Sequence, residues 1–297
     1  MGISIINRIG LFKSRARNLF VLGGLLALSA CSAVGFGYNN APAFAHTWIV
    51  NKVEFYPDQS ELIRTKLDQL LAWHRQNELP LLVTELRAAH ARADTIDQVT
   101  QPEVRALFDA LRDSFYRTGF EAAPMLSEVM LKLWPNQIKP IETALQESNE
   151  DYQEDHMKVS AQVKREEAFE KMQGRFETWL GDLQPSQLAL IRTWASEQGY
   201  PYEERFQRRL NNQALFMQWV ELAANRAIGP DDLTQRLTAW IDGFRGATQT
   251  PTNRGLEAYR DSSAKLATQV LKLSTMEQRE HLKEELADWI ETLNDLS

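Results

Sequence analysis

The chain reads as an all-α protein of roughly ten to twelve helices. Three observations carry that reading. Apolar residues recur at spacings of three and four along nearly every segment. Proline repeatedly stands where a helix would begin. No run of alternating β-branched residues is flanked by turn signals.

The elements follow in order. The first helix is expected to start near Pro42 and to pass through Trp48, Ile49 and Val53. Pro57 opens a second, whose stripe is Ile63, Leu67, Leu70, Leu71 and His74, and Pro80 a third, with Leu82, Leu86, Ala89 and Ala93. Thr100 and Glu103 form a capping box for a fourth helix whose core face is Val104, Leu107, Phe108, Leu111 and Phe115. A short helix is expected from Pro124 to Leu133. Pro135 starts a long segment with no strong breaker until Gly174, so 136–180 reads as one helix or two in line. Its middle, 146–167, is highly charged, lacks a continuous stripe and is expected to project from the body. Pro185, Pro201 and Pro230 open three more helices. Residues 245–255 are the clearest loop. Two closing helices hold Leu266 to Leu273 and Leu282 to Leu293, with a capping box at Ser274–Glu277 between them.

The start of the chain belongs to a different physical class. Arg8, Lys13, Arg15 and Arg17 precede an apolar run from Leu19 to Leu28, then Ser29, Ala30 and Cys31. Charge, apolar run, small residues and cysteine in that order predict a lipoprotein signal peptide over 1–30, cleaved before Cys31. The run is too short to span a bilayer, which takes about 20 residues. Acylation of Cys31 would hold the chain to a membrane without crossing it. Ser32 next to the acylated position resembles the sorting signal of enterobacterial outer-membrane lipoproteins. The expected location is therefore the periplasmic side of the envelope, at the outer membrane. Residues 31–41 read as a tether and 42–297 as a helical domain, either one unit or two packed halves, 42–135 and 136–297.

The leader carries four of the 33 basic residues and none of the 40 acidic ones, which leaves 31–297 with a balance of −11. Such a chain repels phosphate backbones, so nucleic acid is excluded as a partner. With 43% hydrophobic residues, eight Trp and thirteen Phe, it can build a core. The one cysteine allows no intramolecular disulfide.

Motifs for chemistry are sparse. His46, His74, His90, His156 and His281 form no metal-ligand spacing, and no nucleophile elbow or phosphate loop occurs. The run Glu147, Glu150, Asp151, Glu154 and Asp155 reads as a solvated face. No catalytic, cofactor or metal residue is assigned, and the balance leans away from an enzyme.

One weak repeat recurs at helix starts: Phe55-Tyr56-Pro57-Asp58-Gln59, Leu133-Trp134-Pro135-Asn136-Gln137 and Leu183-Gln184-Pro185-Ser186-Gln187, with Leu273 to Gln278 a looser copy. Pro fixes the first helical φ and Gln can return a hydrogen bond to the cap, so the repeat reads as helix punctuation. It also resembles the Leu-Thr-x-x-Gln motif of Spy-type periplasmic chaperones, a resemblance that implies a cradle for unfolded clients. A broader resemblance rests on Tyr38-Asn39-Asn40, Trp48, the Pro-x-Gln start, Trp73-His74-Arg75, Glu78-Leu79-Pro80 and Trp179-Leu180-Gly181 before Leu183 and Gln187. These are similar to an uncharacterised family of proteobacterial all-helical lipoproteins. The resemblance implies a helical fold and an envelope location, and no chemistry.

The expected function is a lipid-anchored periplasmic binding or scaffolding protein, its partners being envelope proteins or unfolded clients. The alternatives are a chaperone-like client binder and an enzyme whose site is dispersed along the chain. The candidate binding surface combines Tyr38, Asn39, Trp48, Gln59, His74 and Arg75.

Overall fold

A computed structural model describes residues 34–246 and 254–297. Every regular element among them is helical. A helical segment at 34–39 turns at Asn40 into α1 (Ala41–Lys52), so the stretch read as a tether is helical where it is described. Then follow α2 (Pro57–Asn77), α3 (Leu79–Arg92) and a 3₁₀ turn (Ala93–Gln98). The longest helix, α4 (Gln101–Met130), leads through a 3₁₀ turn (Pro135–Gln137) into α5 (Ile138–Tyr152) and a π turn (Gln153–Met157). The remainder is α6 (Ala161–Leu180), α7 (Pro185–Glu197), α8 (Tyr202–Ala224), α9 (Pro230–Gly246), α10 (Arg254–Lys272) and α11 (Met276–Leu296). The loop expected at 245–255 falls mostly outside the described residues, as do the expected leader, 1–30, and Cys31.

The expected all-α bundle is what the chain forms, and the starts at Pro57, Pro185 and Pro230 stand where proline placed them. Three details differ, and one open alternative is resolved. Pro124 does not begin a helix but lies inside α4. Its missing N–H deprives the Phe120 carbonyl of a helical donor. Pro124 is on the exposed side, where water can replace that donor, whereas Ala123 and Ser127 on the inner side are almost fully buried. Packing therefore carries the helix through. Gly119, one turn earlier, lets α9 come close, since a Cβ there would stand 3.1 Å from Ile241 Cγ2.

Of the two readings left open for 136–180, the chain forms two helices. The π turn ends α5, and the Ser160 hydroxyl caps α6 by accepting from the Val163 N–H at 3.3 Å. The charged middle does not project along its whole length. Tyr152 stacks on Phe206 with ring centres 5.6 Å apart, and His156 stacks on Tyr202 at 5.1 Å. A π turn adds a residue to the helical repeat, and here it sits where these two rings turn toward α8. Finally, the cap of α11 is Thr275 with Gln278, one residue later than expected: Thr275 Oγ1 accepts from the Gln278 N–H at 3.2 Å.

Among the described residues, two apolar clusters form the interior. The first gathers Ile96, Val104, Phe169, Leu180, Ile191, Trp194, Leu266, Val270, Leu282 and Leu286. The second gathers Ala123, Met130, Leu133, Trp219, Val220, Leu233 and Leu237. Both combine residues from either side of position 135. Helix α4 reaches into both, with Val104 in the first and Ala123 and Met130 in the second.

Candidate functional site

The N-terminal arm is held by residues that sequence grouped together. The Tyr38 hydroxyl lies 2.8 Å from His74 Nδ1. The Arg75 guanidinium donates to Asn39 Oδ1 and stands 5.6 Å from the centre of the Tyr38 ring. His74 and Arg75 occupy the last turn of α2, so one helix end presents both to the arm. Burial lowers the imidazole pKa despite the charge of Glu78, and raises the phenol pKa despite Arg75. Both groups are therefore neutral near pH 7, and their contact docks the arm onto α2.

Beneath this contact, Glu78 joins α2 to α3 with only 1% of its side chain exposed. Arg117 of α4 grips its two oxygens through Nε and Nη2, each at 2.8 Å. Burial alone would raise the Glu78 pKa. Hydrogen bonds from Arg117 and Ser114, with the Arg117 charge, overcome that and hold it below the ordinary carboxylate range.

The other two candidates lie elsewhere. Trp48 is 66% exposed on α1, in line with the exposed rings of Phe36 and Phe44. Gln59 is 1% exposed and belongs to the interior. It faces Gln137, and the two amides bond reciprocally at 2.9 and 2.8 Å. Gln59 Oε1 also accepts from the Tyr56 N–H, and its Nε2 donates to the Lys132 carbonyl. Gln137 does the same in reverse, accepting from the Trp134 N–H and donating to the Glu54 carbonyl.

The other two copies of the repeat build a second such node. Gln187 and Gln278 exchange bonds at 3.0 and 2.9 Å and cap the N–H groups of Gln184 and Thr275. Gln278 Nε2 donates to the Asp182 carbonyl, five residues before Gln187. Gln187 donates to Val270 rather than to Leu273, the position equivalent to Lys132 and Glu54 in the first node. The fourth copy lacks the proline of the others and departs from their geometry. All four glutamines are buried. The repeat is thus helix punctuation, as its residues predicted, and in addition welds the starts of distant helices in pairs. Only the recurrence of Gln at the same offset signalled that pairing.

Sequence reasoning missed one surface feature. A cleft of about 420 Å³ opens between α5, α8 and α9, lined by Arg205, Arg208, Arg209, Phe216, Trp240 and Phe244 among others. Its signal was the run Arg205-Phe206-Gln207-Arg208-Arg209 in an acidic chain. Among the described residues no group of His, Cys, Asp and Glu could hold a metal ion.

The fold and these nodes define an all-helical domain with two buried glutamine brackets. Its chain belongs to DUF6279, a family of unknown function, whose model matches residues 51–239. Neither a curated protein nor a solved structure matches it. Helices α1 (to residue 50), α9 (from residue 240), α10 and α11 extend beyond the matched region.

Proposed function

We propose that the protein is a lipid-anchored binding or scaffolding protein of the bacterial envelope, held through Cys31 on the periplasmic side and sorted by Ser32 to the outer membrane. The supporting observation is the outward face of the N-terminal arm. Phe36, Phe44 and Trp48 are 65%, 55% and 66% exposed. No acidic residue occurs in the first 53 positions, although 40 follow. Aromatic rings on a face without negative charge suit the headgroup boundary of a bilayer, where Trp concentrates. Phe36 stands five positions after Cys31, a reach of at most about 18 Å. An acyl chain on Cys31 would therefore bring these rings to the membrane surface. The helical body, with its acidic exterior, would face the periplasm and engage envelope proteins or unfolded clients there.

The test is acylation and location. The full chain expressed in a Gram-negative host should carry diacylglycerol on Cys31 by mass spectrometry and float with outer-membrane vesicles. Cys31→Ser should abolish both. Equal flotation of the two chains, or an unmodified Cys31 in the wild type, would overturn the anchor.

A further inference from the structure

We propose that the cleft between α5, α8 and α9 is a binding site for an amphipathic organic anion, one with a phosphate or carboxylate head and a flat apolar body. The proposal stands apart from the membrane anchor.

The polar wall comes from one helix. Arg205, Arg208 and Arg209 fall within two turns of α8, and among the described residues no carboxylate lines the cleft. In a chain with a formal charge of −7, three guanidinium groups at one depression mark a local reversal of sign. All three are held in place, Arg205 by donating to the Tyr200 hydroxyl. Arg209 donates from Nε to Asn149 Oδ1 at 2.6 Å and from Nη2 to Ser148 Oγ at 2.7 Å, which fixes its fork against α5. Arg208 lies over the Phe244 ring, 5.7 Å from its centre. Burial, with the charges of Arg205 and Arg260, lowers the Arg208 pKa.

The apolar wall is equally set. Trp240 stacks near Phe216 with centres 6.3 Å apart and meets Phe244 edge-on at 5.2 Å. Its Nε1 donates to Asn212 Oδ1 at 3.3 Å, so the indole plane is fixed. A planar fork suits phosphate and carboxylate oxygens, and a rigid aromatic surface suits a ring or chain. The volume lies within the range of small-molecule sites, roughly 300–1,000 Å³.

The experiment is calorimetric titration of the full chain held in neutral phosphatidylcholine nanodiscs, with empty nanodiscs subtracted. The probes are 1-naphthyl phosphate, 1-naphthoate, inorganic phosphate and 1-naphthol. One of the two naphthyl anions should bind saturably at one site, and whichever binds tighter names the head. Inorganic phosphate and 1-naphthol should each bind at least about tenfold more weakly. Arg208→Gln should weaken the anion about tenfold, as expected for losing one charged hydrogen bond. Arg205→Gln serves as the second variant if Arg208→Gln fails to fold by circular dichroism. Arg192→Gln should change nothing, because that guanidinium covers Phe169 and does not line the cleft. Three results would overturn the site: no saturable binding of either anion, equal binding of 1-naphthol or inorganic phosphate, or unchanged affinity in the folded arginine variant.

Discussion

At the scale of single residues, the buried glutamines carry the largest consequences. Replacing Gln59 by Ala strands the Tyr56 N–H and the Lys132 carbonyl, and removes both bonds to Gln137. Each buried polar group left without a partner costs roughly 1–3 kcal/mol. Gln59→Ala should therefore destabilise the fold by about 3 kcal/mol in urea unfolding. With Gln137→Ala in a double-mutant cycle, the coupling should be about 1–3 kcal/mol. A loss below about 1 kcal/mol would mean that water replaces the amide. Sequence grouped Gln59 with the candidate binding surface, whereas its side chain is buried. Its burial depends on Gln137, 78 positions away, and no local signal reports such a partner. By contrast, Tyr38, Asn39, His74 and Arg75 do come together, since His74 and Arg75 are adjacent on α2 and meet the arm as one unit.

At the scale of elements, proline was a reliable guide to helix starts except within α4. Pro57, Pro135, Pro185 and Pro230 each follow a residue with nonhelical backbone or a loop, and there the lost N–H has no role. Pro124 follows Ala123, which is buried against the second cluster, and packing outweighs the local penalty. Pro124→Ala should restore a backbone bond on an exposed face. Since interior proline is about 3 kcal/mol worse than Ala, stability should rise by about 1–3 kcal/mol in the same unfolding assay. A fall would show that the packing of α4 depends on the proline ring itself. Likewise, the charged stretch 146–167 was misjudged because its anchoring rings, Tyr152 and His156, are isolated in sequence. They find Phe206 and Tyr202 only once α8 is alongside. Helix existence was legible from periodicity and proline. Helix continuity was not, because it was settled by neighbours distant in the chain.

At the scale of the whole molecule, the two glutamine nodes sit with different apolar clusters. Leu133 of the first node's loop belongs to the second cluster, and Val270, which accepts from Gln187, belongs to the first. Helix α4 spans both. Gln59→Ala should therefore speed amide exchange mainly in α2 and α5, and Gln187→Ala mainly in α7, α10 and α11, read by hydrogen–deuterium exchange. If either substitution loosened all five helices alike, the clusters would form one cooperative unit. The arginine cleft lies at this scale too. It is assembled from three helices, so only the run of arginines on α8, and not their aromatic partners on α9, could be seen in the sequence.

The brackets made by Gln59 with Gln137 and by Gln187 with Gln278 close spans of 78 and 91 residues. Small secreted domains often fasten such spans with sulfur bridges, which require an oxidase and submit to reductants. This polypeptide has a single thiol, and so its long-range clasps are amide pairs that need no oxidation to close and that no reductant can open. Its folding is thereby independent of the redox poise of whichever compartment it occupies.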